Sequence, residues 1–220
     1  MQPMTTIKNR IKANNGTKIV LNMIRPYPPL YKGPKCRFIF IRMHKVGGTS
    51  LSHVFGTSKD HYTSKEAIAR IGKFNWNRHF KFAFVRNPFA KVVSAYNYFS
   101  EQNRYDMGVN PISFEDWVKK TYGPDKDPKY YFSERWFQSQ SDWLKDDKGV
   151  ISIDVIGKCE NLSEDCRKIT EIVGIDAPVP HLNKSKKTDY RRYYNETTYN
   201  IVKDWHREDM ERFAYAFDVL

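Results

Sequence analysis

Cysteine is scarce in this chain. Cys36, Cys159 and Cys166 are the only three in 220 residues. An odd, sparse set makes a poor disulfide framework, and the spacing fits no zinc site. Cys159 and Cys166 could pair, but buried free thiols are the expectation. Long apolar runs are also missing, so no membrane-spanning helix and no stable membrane insertion are expected. The opening stretch, MQPMTTIKNRIKANNGTK, is positively charged with no apolar segment behind it, which is not the pattern of a secretory signal. Acidic residues fall short of basic ones. Lys and Arg number 37 against 25 Asp and Glu, a net charge of +12. Such an excess points to an anionic partner, or else to a solvated basic surface. The basic residues are scattered and carry no DNA- or RNA-binding signature, so a nucleic-acid partner is not expected.

What is present reads as one globular domain. Hydrophobic residues make up 40% of the chain and charged residues 28%, a balance that supports a packed core rather than disorder. Residues 1–34 are polar and then proline-rich (RPYPPLYKGPK) and predict an extended lead-in, because proline fixes φ and removes donors. Residues 35–220 form the domain. Phe38–Ile41, Phe82–Val85 and Val150–Ile156 read as strands. Ser64–Ile71 reads as a short helix. Asn87 is a good N-cap with Pro88 at the first helical position, and a helix follows to about Ser100. Tyr130–Leu144 is expected to be one aromatic-rich helix. Ser163 caps another, which Gly174 ends, and Asn195 caps the last, with Thr198, Ile201, Val202, Trp205 and Phe213 along one stripe. Strands alternating with helices predict an α/β fold: a central, mostly parallel sheet flanked by helices.

Two segments carry chemistry. His44-Lys45-Val46-Gly47-Gly48-Thr49-Ser50 joins the first core strand to a helix. Glycines let backbone N–H groups close on an anion, and the new helix adds unpaired donors and a positive dipole end. Lys45 supplies a charge; Thr49 and Ser50 supply hydroxyls. The arrangement is P-loop-like but not a Walker loop, since the lysine precedes the glycines. Taken alone, it could equally be a tight turn with a chance lysine. The second segment, FAFVRNPFAKVVSAYNYF, puts Arg86 at the carboxyl end of a strand and Ser94 two turns into the next helix. Ligands of open parallel sheets bind outside those strand ends. Arg86 can fork onto a phosphate. The plainer readings are a surface salt bridge for Arg86 and a small residue at a helix–sheet contact for Ser94.

Together these segments resemble the sulfotransferases that use 3′-phosphoadenosine 5′-phosphosulfate (PAPS). HKVGGTS is similar to their 5′-phosphosulfate loop, PKTGGTS, with His44 for Pro and Val46 for Thr. FVRNPFAKVVSAY is similar to their 3′-phosphate motif. QSDWLKDDKGVISIDVIGKCENLSED and PHLNKS resemble the carbohydrate branch related to the heparan-sulfate 2-O enzymes, with Lys158 and Cys159 replacing an Arg-Phe pair. The resemblance implies a P-loop-like three-layer fold and transfer of a sulfuryl group from PAPS to a hydroxyl of a carbohydrate, leaving PAP. It implies that Lys45 stabilises the leaving phosphate and that Gly47, Gly48, Thr49 and Ser50 hold the 5′ end. Arg86 and Ser94 would hold the 3′-phosphate, and Lys184 and Ser185 would close over the nucleotide. A general base is needed. His61, in a segment similar to the family's His-containing one, is favoured over His44. The chemistry requires no metal. Trp136 or Trp143 could stack on a sugar, and Arg104 and Arg135 could meet an acidic glycan. A small-molecule kinase and a basic nucleic-acid-binding domain are the rival readings. A cytoplasmic location is expected, with a luminal domain of a Golgi enzyme freed of its anchor as the alternative. Acceptor identity and oligomeric state are not legible.

Overall fold

The computed structural model describes residues 29–178 and 189–217. Its sheet has four strands in the order β1-β2-β3-β4: β1 (Leu30–Lys32), β2 (Arg37–Ile41), β3 (Phe80–Val85) and β4 (Val155–Lys158). β2, β3 and β4 run parallel, and β1 closes one edge antiparallel to β2. Consecutive residues along β2 and β3 are buried, rather than every second one. Unbroken burial means that both faces are covered, as in a sheet flanked by helices. Phe38, Phe40 and Phe82 pack ring to ring across β2 and β3.

Helices α1 (Gly48–Val54), α2 (Ser64–Ile71) and α3 (Lys73–Arg78) connect β2 to β3. Between β3 and β4 lie α4 (Pro88–Glu101), α5 (Phe114–Tyr122), α6 (Glu134–Phe137) and α7 (Gln140–Leu144). After β4 come α8 (Leu162–Val173), α9 (Glu196–Trp205) and α10 (Arg207–Arg212). The caps follow local chemistry. Thr63 and Glu66 form a capping box on α2, and the Asn87 side chain accepts from the Phe89 N–H at the start of α4. One apolar cluster joins the sheet to α1, α7 and α8; a second joins α4, α5 and α9 around the fully buried Trp117.

Several boundaries depart from the sequence reading. Residues 130–144 do not form one helix. Ser139 is extended and its hydroxyl accepts from the Asp142 N–H, so it starts α7 as a cap instead of continuing α6. Serine competes with the backbone in this way wherever a cap is open. The last helix breaks at His206, whose imidazole turns inward to Asp209. The third core strand begins at Val155. Ile151 instead makes a single antiparallel bridge to Lys145 around a turn containing Gly149 at φ 77°. α8 starts at Leu162, which places Ser163 inside it. Part of the proline-rich lead-in is a strand, β1, and residues 1–28 lie outside the described ones. All three cysteines are free.

Gly157 in β4 pairs with Phe84 in β3, and an added Cβ would stand 2.6 Å from the Phe84 ring. Gly157→Ala is therefore expected to lower stability by about 1–3 kcal/mol through overpacking. Urea unfolding would show it as a lower midpoint at unchanged slope; an unshifted midpoint would refute the contact.

Candidate active site

β2 and β3 are parallel neighbours, so the loops leaving their carboxyl ends are forced side by side. Past β2 the chain stays buried through Arg42 and Met43 and then turns out at His44 and Lys45. Lys45 has φ 64° and Gly47 φ 78°. The first is unusual for a residue with a side chain, and strain of this kind persists where surrounding structure enforces it. The second is where glycine is required. α1 then begins, and Gly48, Thr49 and Ser50 present the N–H groups that a first helical turn leaves unpaired. Thr49 and Ser50 also border an open cavity of about 470 Å³ with Ser52, His53, Thr57 and Lys59. Lys45 and Arg86 are not among its walls.

Arg42 supports the loop from below. A Cβ on Gly48 would meet its Nε at 2.6 Å, so any larger residue there would displace the Arg42 side chain. The guanidinium donates to the Lys59 carbonyl and, at 3.0 Å, to Nε2 of His61. His61 Nδ1 lies 3.2 Å from the Arg42 carbonyl. Arginine can only donate and a carbonyl only accept, so His61 carries its proton on Nδ1 and its Nε2 lone pair faces Arg42. Burial, then the Arg42 charge, pushes the His61 pKa down to about 4.

His44 lies flat between two rings, His61 at 3.8 Å and Trp136 at 4.0 Å between centroids. Burial first, and then His61 and nearby cations, pushes its pKa down to about 2. Among the described residues its ring nitrogens make no hydrogen bond. Trp136 in turn stacks on Tyr98 of α4 at 5.8 Å, and the Lys45 ammonium sits 4.3 Å from the centroid of the Tyr98 ring. Four stacked rings thus end on the lysine. Burial lowers the Lys45 pKa to about 8, with the charge of Arg86 as the second cause and Glu101 opposing.

Arg86 directly follows β3. Its Nη1 donates to the Lys45 carbonyl at 3.2 Å, which joins the two motifs. Neither Lys45 nor Arg86 forms a salt bridge with a carboxylate among the described residues. The surface-salt-bridge reading of Arg86 therefore does not hold for them. Ser94 is half-buried on α4, one turn before Tyr98. Lys184 and Ser185 lie outside the described residues, as does His181. Trp143 is a core residue whose indole donates to the Tyr62 carbonyl at 2.8 Å. Arg135 is tied to Glu66 at 2.7 Å and to the His61 carbonyl. Arg104 is exposed. Among the described residues no three His, Cys, Asp or Glu side chains gather into a ligand set, and no helix is long and apolar enough to cross a membrane.

Three residues of the site escape the sequence reading. Arg42 looks like an ordinary charge flanking a strand, and only the absent Cβ at Gly48 betrays it. Tyr98, four residues after Ser94, shares its helix face, which spacing could have shown. Gln140 gives no local signal; its side chain bonds to Arg86 from 54 residues away.

The sulfotransferase family model matches residues 30–216, and the chain belongs to that family. The chain is 32% identical to an uncharacterized protein of Archaeoglobus fulgidus over 124 residues, 56% of this chain and 92% of that protein. A structural match is the crystal structure of a sulfotransferase from Alicyclobacillus acidocaldarius, at 13% identity and a TM-score of 0.41, covering 81% of this chain and 98% of that one. Membership of the family supports sulfuryl transfer in general as the reaction class.

The Lys45 amine is open to direct measurement. After reductive methylation with ¹³C-formaldehyde, its resonance is expected to titrate near pH 8, as its surroundings dictate. Removing the neighbouring like charge in Arg86→Met is expected to move that titration upward. No movement would mean that burial alone sets it.

Proposed function

We propose that this protein transfers the sulfuryl group of PAPS to a hydroxyl of a carbohydrate acceptor. The observation that carries the reading is a pair of cations, Lys45 and Arg86, joined through a hydrogen bond at the ends of adjacent parallel strands, with no carboxylate partner among the described residues. Two positive groups held together in a half-buried site destabilise each other until an anion arrives. A nucleotide with phosphates at both ends of its ribose offers one anionic group to each loop.

In this mechanism the 5′ end of the donor rests on the N–H groups of Gly47, Gly48, Thr49 and Ser50. Arg86 and Ser94 take the 3′-phosphate, and Lys184 and Ser185 close over the nucleotide. The acceptor oxygen forms a bond to sulfur while the bond from sulfur to the bridging phosphate oxygen breaks. The acceptor proton passes to a base, and PAP leaves with the electron pair. Charge builds on the departing phosphate, so a protonated Lys45 held in a desolvated site is the main source of stabilisation.

His61 and His44 compete for the proton. Both nitrogens of His61 are engaged by Arg42, whereas those of His44 make no hydrogen bond among the described residues. This favours His44, next to Lys45, as the base, with His61 holding its ring in place. Both imidazoles are neutral at pH 7, and a bound polyanionic donor raises their basicity.

The pH profile follows from these directions. Lys45 must be protonated and its pKa is about 8, so kcat/KM is expected to fall as pH rises through that value. The imidazoles must be unprotonated, and their pKa values of about 2 and 4 put no acid limb in the neutral range. Lys45→Met is expected to lower turnover by about 10²–10³-fold and to weaken PAP binding, and His44→Ala to lower turnover by about 10²-fold or more with PAP affinity largely kept. Turnover with radiolabelled PAPS over a glycan panel measures these, and thermal shift with PAP and ATP separates the donor from a kinase substrate. Stabilisation by ATP but not PAP would sink the reading.

A further inference from the structure

Behind Arg86 lies a group of buried polar side chains that the mechanism above does not use. Gln140, fully buried, meets the backbone of Arg86 with both ends of its carboxamide. Its Oε1 accepts from the Arg86 N–H at 2.9 Å and its Nε2 donates to the Arg86 carbonyl at 2.8 Å. Both backbone groups at the end of β3 are thus paired by one side chain, as a neighbouring strand would pair them. Asp209 holds Gln140 in turn. Its carboxylate is fully buried and accepts from the N–H of Gln140 at 2.8 Å and of Ser141 at 2.6 Å. His206 adds a third donor, its Nδ1, at 3.0 Å. Lys91, buried on α4, donates to the Gln138 carbonyl at 3.3 Å, and its charge reaches Asp209. Burial opposes the Asp209 charge, but these donors and the Lys91 ammonium outweigh it and keep the carboxyl ionised.

A buried ionic cluster is a poor means of gaining stability, because apolar residues of similar volume do as well or better. What it supplies is direction: Gln140, Asp209 and Lys91 are each tied to a backbone group whose position they fix. Arg86 is the residue at its outer end. Its guanidinium faces the donor loop while its N–H and C=O face the cluster.

We propose that Gln140 and Asp209 are positioning residues for Arg86. They aim its guanidinium at the 3′-phosphate and so set the preference for a nucleotide that carries one. This rests on the PAPS reading of the site.

The test is the ratio of Kd for AMP to Kd for PAP, measured by calorimetry on the wild type, Arg86→Met, Gln140→Met and the double variant. A large wild-type ratio is expected to collapse in Arg86→Met. In Gln140→Met it is expected to drop by about 10-fold through weaker PAP binding, with AMP affinity held within about 2-fold. In the Arg86→Met background the glutamine substitution is then expected to change the ratio no further. A glutamine that only holds the fold together would weaken both nucleotides alike, and that result overturns the proposal. So does a wild-type ratio that survives Gln140→Met. A wild-type ratio near one removes the PAPS reading and this proposal with it. Asp209→Asn carries the same expectation and serves in place of Gln140→Met if that variant does not fold, since it keeps the side chain's shape and one acceptor.

Discussion

Two positive charges that repel each other are held at the ends of neighbouring strands, and most of the structure can be understood as the means of holding them there. Parallel strands lie about 4.8 Å apart, so the residues that follow them have no room to diverge. β2 and β3 are in register from Phe38 and Phe80 onward, which brings Lys45 and Arg86 out at the same edge. Covering both sheet faces with helices dries the surroundings. With less water to screen it, the lysine holds its proton less firmly, and the arginine donates to the Lys45 carbonyl. The uncompensated state is stable because apolar packing elsewhere outweighs it.

A second arrangement protects that one. Arg42 fills the space beneath Gly48 with its side chain and engages both nitrogens of His61, one through its guanidinium and one through its backbone carbonyl, so one buried residue shapes the glycine loop and fixes an imidazole at once. The stack that starts at His61 passes through His44 and Trp136 to Tyr98, where the Lys45 ammonium rests on the ring. Burial first, and then cations such as Arg42 and Arg135, keeps its imidazoles neutral.

Much of this was legible from local pattern. The apolar run 38–41, the Gly-Gly turn and the Asn87-Pro88 start each encode their own geometry within a few residues, and all three fall where spacing puts them. Boundaries failed where a side chain found a distant or competing partner. Ser139 capped a new helix inside what read as one, and His206 broke the last helix to reach Asp209. The placement of Lys45 and Arg86 side by side was readable because motif order carries it. The contacts of Arg42 and Gln140 were not, since each is tertiary: a missing Cβ in one case and a backbone segment 54 residues away in the other.

Residues 209–216 are part of this arrangement. Ala216 accepts from the Asn87 side chain, and Tyr215 donates to Glu160, whose other oxygen receives the Asn87 N–H. Asp209 completes the group behind Arg86. During synthesis on the ribosome, the strands and the glycine turn emerge long before these partners do. The nascent chain can therefore build its sheet early, but the arm that carries Arg86 acquires its final set only when residues 209–216 clear the exit tunnel. A chain interrupted before residue 209 is left without the bracing behind Arg86.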